Sequence, residues 1–183
     1  MSWLNRPVWR GAWARAGVLP PLCALALTLG ASAPTHAQQP YALLGEPAPD
    51  FTLHAAAGAN VRLSEHRGEV VVVSFWSSRC TPCRTQLAAL NRSLATYATA
   101  GLSMYGVGVD DNSIQALDFA HSAAVGFKML LDPAKAVARS YQVDNLPMTV
   151  LIDRSGIVRH VLRDYSEASN VLYLRQLRAL LNE

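Results

Sequence analysis

The sequence predicts an α/β domain, a sheet covered by helices on both faces. Residues 69–76, EVVVVSFW, form a continuous apolar, β-branched run of the kind that makes a strand buried on both sides. Leu87, Leu90, Leu94 and Tyr97 then recur at helical spacing up to Gly101. The exchange of strand and helix patterns repeats down the chain and closes with a strand pair and a last helix.

Each element has its own local reason. Residues 38–49 read as an extended lead-in. Residues 50–53 and 60–64 alternate apolar and polar across a turn containing Gly58, as an edge hairpin does. After the strand at 69–76, a helix runs over 81–100 and a strand over 103–109. Asn112 with Gln115 three residues later resembles a capping box opening a helix over 113–123. A short strand follows at 127–131. Asp132-Pro133 supplies an N-cap and first-turn pair for a helix ending near Tyr141. Residues 148–153 and 157–162 flank Arg154-Ser155-Gly156 as a hairpin. Val171, Leu174, Leu177 and Leu181 stripe the last helix, with Ser166 as its cap.

The first forty residues differ from the rest. Residues 1–15 hold Arg6, Arg10 and Arg15 and no acid, and an apolar stretch then leads to small residues around Ala37. Basic start, apolar middle and small-residue end are the layout of a secretory signal, here 1–37, leaving 38–183 as one domain. The alternative is an uncleaved membrane anchor; Pro20, Pro21 and the short apolar length argue against it. The formal charge of +3 is carried by those three arginines, because without them 13 basic residues face 13 acidic ones. The domain therefore offers no basic face to nucleic acid.

Three cysteines are present, and Cys23 falls within the leader. Cys80 and Cys83 stand two residues apart where the valine strand hands over to its helix, the end of a strand at which α/β proteins place their chemistry. As a structural staple the pair would close so short a loop that it adds only about 2 kcal/mol, which a domain of this size scarcely needs. As a redox pair the placement makes sense. A thiolate at the helix N-terminus gains hydrogen bonds from free N–H groups and the positive end of the dipole. Arg79 and Arg84 flank the pair and add positive potential if they turn towards it. Cys80 then attacks a partner's disulfide and Cys83, one turn inside the helix, resolves the mixed disulfide. Thr81 and Pro82 restrict the first turn between them.

The segments LGEPAPDFTL, VVVVSFWSSRCTPC and LPMTVLIDRSG resemble the thioredoxin superfamily, and more narrowly its envelope thiol–disulfide oxidoreductases of the TlpA/ResA type, over about residues 43–181. The resemblance implies a thioredoxin-like fold: a central mixed sheet flanked by helices, an N-terminal β-hairpin, and an extra helix and strand at 113–131. It implies that Pro147 is cis and packs beside the cysteines, that the backbone of Leu146 pairs with an extended substrate segment, and that Trp76, Thr81 and Pro82 border the substrate. It implies no cofactor beyond the redox-active Cys80–Cys83 disulfide and no metal. The implied partners are a disulfide-containing envelope protein and a membrane electron donor of the DsbD/CcdA type, with the protein itself a monomer in the periplasm.

Two departures stand out. Ser74 replaces the buried aspartate of thioredoxin, and Gln86 replaces a glutamate that many relatives carry, so neither proton-handling carboxylate is present. Arg79 and Gln86 are accordingly the residues expected to tune the thiols, Arg79 by charge and Gln86 through a bound water. Trp76 reads equally as a shield for the disulfide or as core, and Ser74 as a core hydroxyl. Asp110 and Asp111 suit turn and capping duty. Four histidines (His54, His66, His121 and His160) show no ligand spacing. A disulfide oxidase or isomerase is the near alternative. A Cu(I) metallochaperone using the same dithiol, with Met148 as a further soft ligand, is the distant one. A peroxiredoxin template fails, because Val73 and Ser77 stand where it needs proline and threonine before Cys80.

Overall fold

The valine run becomes the most deeply buried strand of a mixed seven-stranded sheet. The computed structural model describes residues 41–183, so the expected leader at 1–37 and Cys23 lie outside the described residues. The elements are β1 Thr52–Ala55, β2 Val61–Arg62, β3 Val70–Trp76, α1 Thr81–Tyr97, β4 Leu102–Gly108, α2 Ser113–Ala123, β5 Lys128–Leu131, α3 Ala136–Ser140, β6 Met148–Ile152, β7 Val158–Leu162 and α4 Glu167–Leu181. The strand order is β2-β1-β5-β4-β3-β6-β7. β3, β4 and β5 run parallel, and β6 pairs antiparallel with β3.

All of β3 is buried, and its alternation divides two layers of core. Val71, Val73 and Phe75 meet Val137 and Ala138 of α3 together with Tyr141. Val70, Val72 and Trp76 face the other way, onto Leu87 and Leu90 of α1, Phe119 of α2 and Leu177 of α4. The helices on both faces follow from this two-sided hydrophobicity. Among the described residues, no helix is long and apolar enough to cross a membrane.

Several local expectations shift. β2 stops at Arg62 and the chain curls into a 3-10 turn at Leu63–His66, because the Asp50 carboxylate accepts from Ser64 N at 2.9 Å and Arg62 Nε at 3.2 Å. Asp132 is not the residue bordering α3; Lys135, at φ 53°, is. The Asp132 carboxylate nevertheless satisfies that helix start from a distance, accepting from Ala136 N and Ala138 N at 2.9 and 2.8 Å. Asn112 caps α2 by accepting from Ile114 N and Gln115 N. On α4 the capping box at Ser166 is made with Ser169, and the buried stripe is Tyr173, Leu177 and Leu180. Val171, expected in that stripe, is 61% exposed.

Gly108 of β4 is required by Trp76 on β3, whereas Gly106 is crowded first by the Met129 sulfur, 2.6 Å from where its Cβ would lie, and then by the same indole. A Cβ at Gly108 would lie 2.6 Å from Trp76 Cζ2, and one at Gly106 would lie 3.1 Å from Trp76 Nε1. Their missing side chains make the slot that the indole fills.

Candidate active site

β3 ends at Trp76, and residues 77–79 turn the chain into α1. That turn is pinned from the loop after β4: Ser78 donates from its backbone N and its Oγ to the two oxygens of Asp110, each at 2.8 Å, and Asp110 is only 7% exposed. Cys80 N closes the turn onto Ser77 O at 3.1 Å. Cys80 is thereby held as the N-cap of α1, with Thr81 and Pro82 exposed in its first turn. One turn on, Cys83 points inward, and the two sulfurs are joined in a disulfide. The pair is asymmetric: Cys80 is half-buried, whereas Cys83 has no exposed surface. An attacking and a resolving sulfur need this difference in access.

The electrostatic setting is narrower than the sequence suggests. An N-cap side chain ordinarily accepts from the second or third helical N–H. Here the second belongs to Pro82 and does not exist, and the third, Cys83 N, bonds Cys80 O at 3.2 Å. The helix dipole remains as the built-in positive influence on Cys80. Arg84 does not turn towards the pair. Its guanidinium lies 4.5 Å from the centre of the Phe119 ring and donates to Ser122 O and Oγ at 3.3 and 3.2 Å. Arg79 is exposed and lines the surface with Asp110 and Asp111. Asp111 is held below the usual carboxylate range, first by its bond to Lys135 and last by the charge of Arg79.

Behind the disulfide, three neutral residues are joined by hydrogen bonds. Ser74 Oγ donates to Gln86 Oε1 at 2.9 Å, and Gln86 Nε2 donates to Thr149 Oγ1 at 2.9 Å. All three are buried, at 0%, 4% and 1% exposure respectively. Ser74 and Thr149 face each other across the β3–β6 ladder, and Gln86 sits one turn beyond Cys83 on the helix above them. The Gln86 amide is therefore a bridge between strands. Ser74 is a working member of the network, and Thr149 is a residue that sequence reasoning missed.

The remaining candidates separate clearly. Trp76 has no exposed surface and stacks on Phe119 with ring centres 4.7 Å apart, so it supports the site from inside and cannot border a substrate. Phe75 pairs with Met148, which carries residues 146–147 alongside the end of β3. The Leu146–Pro147 peptide bond is cis. Leu146 lines a surface hollow with Ser77 and Arg79, next to Cys80. Its backbone N–H and C=O make no hydrogen bond to another backbone group among the described residues. Met148 packs in the core layer opposite to the one that holds Cys83, so it cannot share a soft metal with the two sulfurs. No group of three or more His, Cys, Asp and Glu is arranged to hold a metal ion among the described residues.

The model of the AhpC/TSA family matches residues 44–161. The ResA thiol–disulfide oxidoreductase of Geobacillus kaustophilus is 32% identical over 119 residues, covering 65% of this chain and 68% of the relative. A Chlorobium tepidum structure assigned as a thiol:disulfide interchange protein DsbE superposes with a TM-score of 0.73 at 32% identity, over 75% of this chain and 97% of its own. A Bacteroides thetaiotaomicron structure assigned as a protein disulfide isomerase gives a TM-score of 0.70 at 30% identity, over 76% and 91% of the two chains.

Proposed function

This chain belongs to the AhpC/TSA family and is a thiol–disulfide oxidoreductase of the ResA and DsbE type, and on that premise we propose that it acts outside the cytoplasm as a reductant of particular disulfide-bonded proteins. The observation that carries the reading is the asymmetric pair: a half-buried Cys80 at a helix N-terminus with a fully buried Cys83 beneath it.

The reaction balances as dithiol–disulfide exchange. The Cys80 thiolate attacks one sulfur of the substrate disulfide; that bond breaks, and the departing sulfur takes up a proton. Cys83, as thiolate, then attacks the Cys80 sulfur, forming the intramolecular disulfide and releasing the second substrate sulfur as a thiol. Two electrons pass from the protein to its substrate. Leu146 offers free backbone groups on which an extended substrate segment can pair, with Pro147 fixing that loop against the cysteines. Arg79 adds positive potential at the mouth of the site. Thr81 and Pro82 present the exposed rim of the pair. Returning the disulfide to the dithiol requires electrons from a donor, for which a membrane protein of the DsbD/CcdA type is the candidate. Residues 1–37 serve as the export signal and 38–183 as the working domain.

Redox equilibrium with glutathione tests the direction. A reductant sits near −270 mV, whereas a value near −120 mV would make the protein an oxidant. The substrate is identified by exporting a Cys83→Ser variant, which cannot resolve its mixed disulfides, and isolating what stays attached to Cys80. Recovery of no disulfide-linked protein in that variant, with Cys80 intact, would overturn the reading.

A further inference from the structure

We infer that the surface beside Cys80 selects substrates whose reactive cysteine lies in an extended segment bearing an apolar side chain and an acidic one; this rests on the oxidoreductase reading and names the substrate class for it. Two surface hollows, of about 210 and 580 Å³, adjoin at this place. The smaller reaches Ser77 and Arg79 in the turn before Cys80, and the larger reaches Ala138 and Arg139 of α3. Val109, Lys135 and Leu146 line both, so a single trough runs from the disulfide turn across Leu146 to α3.

Its floor is apolar. Val109, Val143 and Leu146 are half-buried and pack onto the core beneath. An apolar substrate side chain laid there loses water at little expense in ordering, because the floor is already fixed.

The charges on the walls divide unequally. Every carboxylate of the trough is engaged. Asp110 takes both donors of Ser78, Asp111 pairs with Lys135 at 2.8 Å, and Asp144 pairs with Arg163. Among the cations, Lys135 is used in that pair. Arg139 is exposed and donates only to the Ala134 carbonyl, at 2.8 Å, among the described residues. Arg79 makes no hydrogen bond among the described residues and feels Asp111 as a charge at longer range. An incoming carboxylate therefore meets two guanidinium groups free to receive it, with the forked geometry that suits it. An incoming Lys or Arg meets no free carboxylate. The trough thus discriminates by charge although its formal charges nearly cancel.

The test uses the reduced protein and three short peptides that differ only at the residues flanking a single cysteine: Asp, Asn or Lys. The cysteine is activated as a neutral 2-pyridyl disulfide, and release of thiopyridone reports attack by Cys80. The expected order is Asp, then Asn, then Lys, spanning about fivefold between the extremes. The spread should vanish near 1 M salt, where screening acts within about 3 Å. In Arg139→Glu the Asp-to-Lys rate ratio should fall towards one, and because it is a ratio within one protein it is insensitive to general loss of activity. Equal rates for the three peptides, or an unchanged ratio in Arg139→Glu, would overturn the inference while leaving the oxidoreductase reading intact. If the reading itself fails, the reduced protein will open all three activated peptides no faster than free glutathione does and will also leave the small neutral 2-hydroxyethyl disulfide unreduced.

Discussion

Replacing Gln86 by Leu should damage stability far more than the loss of one surface-type hydrogen bond. The substitution keeps the volume of the side chain but removes both bonds of the bridge, those to Ser74 and Thr149. Two hydroxyls are then stranded in a layer of Val72, Leu87, Leu90 and Trp76. A buried polar group without a partner is destabilising by about 1–3 kcal/mol, and the added apolar carbon of Leu offsets part of the sum, so we expect about 2–4 kcal/mol in all. For a domain of this size that lowers Tm by roughly 6–12 °C. Removing every member of the network reverses most of the loss. The Ser74→Ala, Gln86→Leu, Thr149→Val triple variant has nothing left unsatisfied and should lie within about 1 kcal/mol of the wild type. Urea unfolding of the oxidised proteins, with the disulfide intact throughout, measures both. If Gln86→Leu is neutral, or if the triple variant is worse than the single one, the three residues are not the coupled unit described.

Other perturbations follow from neighbouring contacts. Gly108→Ala drives a Cβ into the rigid indole of Trp76, whereas Gly106→Ala mainly meets the movable sulfur of Met129; the first should destabilise by about 1–3 kcal/mol and disturb Trp76 fluorescence, the second less on both counts. Asp110→Ala frees Ser78 and leaves the turn before Cys80 unpinned; expect about 1.5–3 kcal/mol of destabilisation and a slower first exchange step by stopped flow. Acid should weaken the fold in two stages. His160 is held below its ordinary value, first by burial and then by the charge of Arg159, and Glu69 likewise, first by the Ser103 hydroxyl, with burial opposing and His66 assisting. Groups shifted downward stabilise the native state above their ordinary titration and lose that contribution as pH falls through the folded-state value. The urea midpoint should therefore decline from near pH 6.5 and again below about pH 4.5, with His160→Gln removing the first decline and Ser103→Ala reducing the second.

The parts of this fold that the sequence discloses are those written in neighbouring residues. The β-branched run at β3, the caps at Asn112 and Ser166, and the Cys-Thr-Pro-Cys turn all rest on local sterics and spacing, and their chemistry points directly at thiol exchange. What escaped prediction depends on register. Ser74 and Thr149 are 75 positions apart and meet only because β6 pairs antiparallel with β3 at that step. Trp76 ends a strand, and nothing local says whether that end is covered; α2 covers it through Phe119. Arg84 sits beside the cysteines in sequence, yet the same Phe119 ring and the Ser122 carbonyl draw it away. On α4, apolar residues occupy more than one helical face, so spacing alone places Leu177 on the buried line but puts Val171 there in place of Tyr173. The glycines at 106 and 108 were the one legible hint of the indole slot, since two glycines in a strand signal a close neighbour.

Everything proposed for the chemistry depends on Cys80 being the more reactive sulfur by virtue of its place at the start of α1. Alkylation with iodoacetamide, followed across pH in reduced Cys83→Ala protein with free glutathione as reference, measures this directly. Cys80 should react several times faster than free glutathione at neutral pH. Equal rates at every pH would contradict it.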